Sequence, residues 1–473
     1  MSVVNLHFSI CIFQFAIFNL QYFLTKRKFL CLTKLLQNEN CKMKTRMATS
    51  PQTPDHPLSV ARQTRNVALF AACTCLQYLA APVLYVGMTQ ASLCKRVGAT
   101  PTVANLPETA FFVMTVTPVL LAWWLPGVVY LKRLLVVCYL AAGLALGLVA
   151  LALVLPVSSE VQIAAVILQG AVSGAAMPTA IALLWEAIGR GVAESRRGLA
   201  LALAFGIGPF LAFAASLVSQ ELLSGRLWGL LAAPLEAPWN FVAVFGGAAP
   251  LLIAAALLSP WLSIPATEEP TVREPLLSGL REFLATPVLA KATIVTILLY
   301  VGNTITANMN LYTEYVLSEN PEFYVGYQNA LRFFCKGVAG LVLGWLLTRS
   351  NPRTGILVTG LLFVLSQLWA LFVPGVAYLF AFGIYGAGEL VGVYAPNYIL
   401  AASSPRRLRQ NMAYVTMMMA PAAPAGYLFG AIATNSAIDP ADGFRLSFLV
   451  CAGVLIAGLV LAVVLLPKRP EQS

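Results

Sequence analysis

The stretch Gly170-Ala-Val-Ser-Gly174-Ala-Ala-Met-Pro178 decides the fold, because its skeleton returns as Gly388-Glu-Leu-Val-Gly392-Val-Tyr-Ala-Pro396. The two copies stand 218 positions apart, each inside an apolar run. A second pair keeps nearly the same step. Gly127 is followed five residues later by Lys132, and Gly344 five residues later by Arg349, an offset of 217. Two independent signals with one period imply duplicated halves of about 200 residues each.

Those halves belong in lipid. Hydrophobic residues make up 59% of the chain, the mean hydropathy is +0.79, and only 10% of residues are charged. A spanning helix needs ~20 mostly apolar residues, because the hydrocarbon core is ~30 Å thick. Twelve stretches between Val67 and Leu466 reach that length, at about 67–93, 109–126, 134–155, 161–187, 198–220, 239–262, 288–313, 327–348, 354–373, 376–401, 411–434 and 444–466. The expected fold is therefore an all-α integral membrane protein, with twelve transmembrane helices in two pseudo-symmetric six-helix bundles. The bundles span residues 67–262 and 288–466, joined by a charged cytoplasmic linker at 263–287. A polar leader at 47–66 precedes them and a cytoplasmic tail at 467–473 follows.

The net charge of +11 does not imply a nucleic-acid partner. With the leader placed in the cytoplasm, nine of the 30 Lys and Arg precede span 1, and fifteen fall in even-numbered connections and the tail. Only Lys95, Arg96, Arg226 and Arg445 fall on the other side. That asymmetry is the positive-inside rule, and it predicts both ends of the twelve-helix body in the cytoplasm. Residues 1–46 depart from the rest, with no Gly, no Pro and six of the 25 Phe. Two readings stay open: Val3–Leu24 is an extra helix, or the stretch is translated upstream sequence with a start at Met43 or Met47.

The pattern of six plus six helices, a charged middle connection and basic connections after spans 2 and 8 resembles the major facilitator superfamily. Its signature G-x-x-x-D-R-x-G-R-R is matched after span 8 by Gly344, Arg349 and Arg353, with Thr348 in place of the acid and Asn351 in place of the second Gly. After span 2, Gly127 and Lys132 match and Leu131 replaces the acid. Further basic residues stand after span 4 (Arg190, Arg196, Arg197) and span 10 (Arg406, Arg407, Arg409). The resemblance implies that these connections gate the halves, and that spans 8 and 10 help line a central cavity.

Arg332, Lys336 and Glu389 are the ionisable residues read as lying well inside a span. A charge at the bilayer centre costs at least ~2.5 kcal/mol, so all three must face protein or water. Arg332 and Lys336 are four apart and share a helix face. Two cations against one carboxylate leave a surplus positive charge, which an anionic or strongly polar substrate group can neutralise. A purely structural ion pair is the competing reading. Span 7 adds Asn303, Thr304, Thr306, Asn308 and Asn310, flanked by Tyr300 and Tyr312. Gln77 and Tyr78 in span 1 and Tyr385 and Asn397 in span 10 complete the polar set expected around a small solute.

Both histidines, His7 and His56, precede the membrane body, and the nine cysteines show no metal spacing, so neither a metal site nor a cofactor is expected. No G-x4-G-K-[ST] loop exists, which leaves a solute or ion gradient as the energy source. The expected function is secondary, gradient-driven transport by a monomer in the plasma membrane. A proton on Glu389 is a candidate coupling ion, which would make the protein a symporter. An enzyme is not expected, for want of a nucleophile–base pair. The alternative is a non-transporting relative that acts as a membrane assembly factor or sensor, favoured by the weak first-half motif.

Overall fold

The computed structural model describes residues 57–125, 127–229, 234–265, 276–347, 350–403 and 408–470. The segment 1–46, together with Arg349, Arg406 and Arg407, lies outside the described residues. Among the described residues there is no strand. Ten helices are long and apolar enough to cross a bilayer. They are α2 (Pro101–Trp124), α3 (Val128–Val154), α4 (Ser159–Gly191), α5 (Ser195–Leu223), α6 (Trp239–Trp261), α7 (Pro287–Leu317), α9 (Pro352–Phe372), α10 (Gly375–Ile399), α11 (Tyr414–Ala433) and α12 (Pro440–Leu465). Two more polar helices complete the twelve. One is α8 (Val325–Leu347), and the other is α1, built of Val60–Leu79, Ala81–Leu84 and Met88–Arg96.

Three boundaries differ from the sequence reading. Helix α1 begins at Val60, inside the stretch read as leader, and a helix at Leu276–Ala285 occupies part of the linker. The third is α2, which starts at Pro101 instead of 109. Thr100 caps it, its hydroxyl accepting from the Val103 amide, and Pro101 takes the first helical position, where a missing N–H costs nothing.

Small residues set the helix spacing. A Cβ on Gly170 would stand 2.2 Å from the Pro107 carbonyl oxygen, and one on Gly174 would stand 2.0 Å from that of Phe111, so α4 rests directly on the α2 backbone. In the second half Gly386 does this work, its Cβ position 2.1 Å from the Arg332 carbonyl oxygen, whereas Gly388 faces the Phe363 ring and Gly392 has only Met419 at 4.0 Å. The repeated motif thus keeps its spacing in both halves but not its contacts. Helix α4 runs unbroken for 33 residues through Pro178. Helix α10 instead breaks at Glu389–Leu390, between Phe380–Gly388 and Val391–Ala402.

The ends of the helices define two sides: a terminal side, holding the start of α1 and the end of α12, and a connection side, holding the α1–α2 and α7–α8 joins. On the connection side the halves are stitched together. Ser92 donates to Asn310 (2.8 Å), Asn105 to Asn308 (2.8 Å), Thr102 to Thr434 (2.9 Å), and Gln220 to the Phe323 carbonyl (2.8 Å) while accepting from the Gly326 amide (2.7 Å). Lys95 pairs with Glu314, and Arg96 lies 3.6 Å from Glu322. Gly426 and Gly430 let α11 close onto α2. On the terminal side the polar contacts tie helices within a half. Asn66 bridges the Gly191 carbonyl (2.9 Å) and the Ser263 backbone, joining the ends of α1, α4 and α6.

Candidate functional site

The break in α10 presents Glu389 to α8. Arg332 grips it with two hydrogen bonds, Nε to Oε2 at 2.8 Å and Nη2 to Oε1 at 2.5 Å, and Lys336 Nζ lies 3.5 Å from Oε2. The fork geometry of guanidinium and carboxylate makes this the stronger contact, and the longer Lys336 approach is that of a point charge. Arg332 also lies near two rings, its Cζ 5.4 Å from the Phe333 centroid and 5.6 Å from that of Tyr385. Its Nη1 is buried without a hydrogen-bond partner. The Arg332 and Glu389 side chains are 7% and 9% exposed, but that of Lys336 is 27% exposed. The structure therefore brings the three ionisable residues together and leaves one cation accessible.

Beside them lies an aromatic cleft that the sequence reading largely missed. Tyr78, Tyr85, Phe70, Trp185 and Phe205 line it, with Gln77 and Thr74. Trp185 and Phe205 stack at 5.6 Å and 19° between planes, and Phe70 meets both edge-on. Tyr85 lies 6.0 Å from Phe333, the neighbour of Arg332, so the cleft runs on towards the charge cluster. Helix propensity carries no trace of this convergence. Trp185 and Phe205 sit on different helices, each an ordinary apolar position in sequence.

The polar run of α7 mostly serves closure. Asn308 accepts from Asn105 and donates to the Phe429 carbonyl (2.9 Å) and Ser447 (3.0 Å), and Asn310 accepts from Ser92 and donates to Gln328 (2.7 Å). Thr304 is turned back on Val301, and the Asn303 carbonyl accepts from Tyr385 at 3.1 Å. Tyr312 accepts from Arg445 (2.8 Å) among Tyr378, Phe444 and Phe448, away from the ion cluster. Gln77 donates to the Tyr139 hydroxyl, Tyr78 packs its ring on Gly208, and Asn397 lies on the terminal-side half of α10.

The basic residues of the connections hold helix ends inside their own half. Lys132 donates to the Pro260 carbonyl (3.3 Å) at the end of α6, and Arg353 donates to those of Val463 (3.0 Å) and Leu466 (2.9 Å) at the end of α12. Arg196 reaches Thr64 (3.3 Å), and Arg197 reaches the Val192 (3.0 Å) and Gly189 (2.6 Å) carbonyls. Gly127 precedes the first turn of α3, and Gly344 has open space around its Cβ position. Among the described residues these groups act as helix-end anchors, which cation and carbonyl dipole favour.

A fourth ionisable residue, Glu108 on α2, is buried at 2% exposure. The sequence reading leaves it outside, because it starts span 2 at 109, eight residues too late. The pair Thr100-Pro101 is the signal that moves the boundary. Glu108 accepts from the Thr306 hydroxyl and from the Ala307 amide (3.4 Å), both on α7.

Comparison with known proteins bears on the fold. Residues 320–473 match the sequence model of the Major Facilitator Superfamily. No curated protein matches the sequence. Solved structures align over nearly the whole body. A mutant of the nucleoside transporter NupG aligns with a TM-score of 0.63 at 12% identity, covering 85% of this chain and 100% of that one. The chain has the major facilitator fold. A D-xylose–proton symporter aligns with a TM-score of 0.64 at 13% identity over 87% and 99% of the two chains. A bacterial homolog of the human lysosomal transporter Spinster gives 0.60 at 14% over 88% and 100%. The major facilitator resemblance carried by Gly344 and Arg353 thus falls in the part of the chain that the family's sequence model also matches.

Proposed function

We propose that this major facilitator protein is a secondary transporter that moves a small polar or anionic organic solute by alternating access. The observation that carries the reading is the accessible cation of Lys336, beside an Arg332–Glu389 pair whose Arg332 Nη1 has no hydrogen-bond partner, next to an aromatic cleft. An anionic group would sit at Lys336, with the apolar part of the solute against Tyr78 and Trp185. The fold neighbours, named as transporters of nucleosides, xylose and peptides, are consistent with a polar cargo. Closure on the connection side and the basic residues of the terminal side support a state closed on the outer face, with both ends of the twelve-helix body cytoplasmic.

A proton is the coupling ion this reading favours, since ionisable side chains sit at the contact between the halves. The test is a thermal-shift screen of the purified protein against metabolite classes, followed by uptake into proteoliposomes with and without a pH gradient. Stabilisation by one class of anion, lost in Lys336→Gln, is the expected result. If no class stabilises the protein and no solute accumulates, the assembly-factor or sensor reading replaces transport.

A further inference from the structure

Glu108 is a buried carboxylate so far given no part in the site, and unlike buried Glu322, which faces Arg96, it has no cation opposite it among the described residues. Its setting is the opposite of that of Glu389. Glu389 has two cationic partners, whereas the partners of Glu108 are a hydroxyl and an amide, both neutral, and no ion pair forms to it among the described residues. The elements around α2 meet it closely, largely through glycines: Gly87 of α1, Gly170 and Gly174 of α4, and Gly426 and Gly430 of α11. A Cβ on Gly87 would stand 2.8 Å from Thr306 Oγ1 and 3.1 Å from Glu108 Oε1, so the chain packs tightly over the carboxyl and leaves no room for water on that side. The backbone at Gly87, with φ of +151°, is one that glycine alone adopts easily.

The charged and titratable groups that reach Glu108 electrostatically are Arg332 on α8 and Glu389 and Tyr385 on α10. The two carboxylates are linked through α7: Thr306 bonds Glu108, and the Asn303 carbonyl one turn away accepts from Tyr385, which lies over Arg332. An unpaired carboxylate this deep loses far more hydration than two neutral donors return. A neutral carboxyl does not. Thr306 can accept from its O–H as readily as donate to it.

We propose that Glu108 is a proton-operated latch between the halves. In the state closed on the connection side it carries a proton and binds Thr306 and Ala307. When that side opens, α2 and α7 part, water reaches the carboxyl, and the proton passes to water. The proton is thus bound by one conformation and released by the other, which is the linkage that coupling requires. The identity of the coupling residue rests on the transport reading, but the latch itself does not.

The test follows the conformation without any solute. Spin labels at Ala99→Cys and Ser436→Cys in a cysteine-free background report the connection-side distance across pH 5 to 9. The open-to-closed ratio of the otherwise unchanged protein should rise with pH, by up to about tenfold per pH unit. Glu108→Gln, a neutral amide able to keep both bonds, should stay closed with no pH dependence, and Glu108→Ala should open at every pH. Glu322 on the α7–α8 join is pushed up by burial, against the pull of Arg96 and Lys95, so Glu322→Gln serves as the comparison: losing its contact with Arg96 can offset the open-to-closed ratio, but the slope with pH should remain. Infrared difference spectra should show a protonated carboxyl band that Glu108→Gln removes.

A wild-type slope in Glu108→Gln, or no such band in the unchanged protein, overturns the proposal. Should Glu108→Gln fail to fold, Thr306→Val keeps the carboxyl and removes its partner, and an unchanged distance distribution there overturns it equally. A protein that transports nothing yet shows the Glu108-dependent slope would refute the transport reading and leave the latch standing.

Discussion

Helices α4 and α10 carry the same Gly-x3-Gly-x3-Pro skeleton and have diverged in use. In α4 the motif is a rigid packing surface: its glycines lie on the α2 backbone, and the helix continues through Pro178. In α10 the helix breaks within the motif, and the residue at the break is Glu389, held by Arg332 and Lys336. The comparison teaches that duplication preserves spacing longer than it preserves role. One copy fixes the scaffold while the other has taken on charge.

The largest effect should come from unbalancing the charged copy. Removing one partner of a buried pair costs about 3–5 kcal/mol, because the other charge is left unpaired. Arg332→Ala should therefore lower the melting temperature in detergent by far more than any single polar-to-alanine change in α4, and Arg332→Met with Glu389→Leu should recover much of the loss. A double variant no better than the singles would break the assignment of an ion pair to α10.

Next in size are the glycines of the packing copy. Gly174→Ala places a methyl 2.0 Å from the Phe111 carbonyl oxygen, and forcing α2 and α4 apart should cost about 1–3 kcal/mol. Gly392→Ala, its counterpart by spacing, meets only Met419 at 4.0 Å and should stay within about 0.5 kcal/mol of the parent. Equal losses at the two sites, read from thermal unfolding, would show that the copies still do the same work. The smallest effect on stability belongs to Lys336→Gln. At 27% exposure and 3.5 Å from the carboxylate, it should cost at most about 1 kcal/mol of stability. Ligand affinity measured by calorimetry should nevertheless fall at least about tenfold under the transport reading, the equivalent of ~1.4 kcal/mol.

What is legible in the sequence follows the same physics. Arg332, Lys336 and Glu389 can be brought together from spacing alone, because charge in hydrocarbon has few places to go. The halves are visible because glycines that space helices recur with the fold. Glu108 is hidden by a boundary error at the start of span 2, where eight further residues, 101–108, belong to the helix. The amides of α7 read as cavity lining, yet Asn308 and Asn310 spend their hydrogen bonds on the opposite half and on neighbouring helices. Composition cannot separate a polar group that binds a solute from one that closes a seam, since both need a partner away from lipid. The cleft of Trp185 and Phe205 depends on tertiary approach and leaves no periodic signal.

Most of the charge in the connection-side seam stands at its rim, while its innermost bonds are neutral. Lys95, Glu314 and Arg96 stand at its rim with 29%, 37% and 47% exposure, while Ser92, Asn105, Asn308 and Asn310 form the buried interior. Dissolved ions screen the first set within about 8–10 Å at 0.1–0.15 M and hardly touch the second. Closure of this face should therefore tolerate wide swings in ionic strength, with brine loosening its rim and leaving its interior sealed.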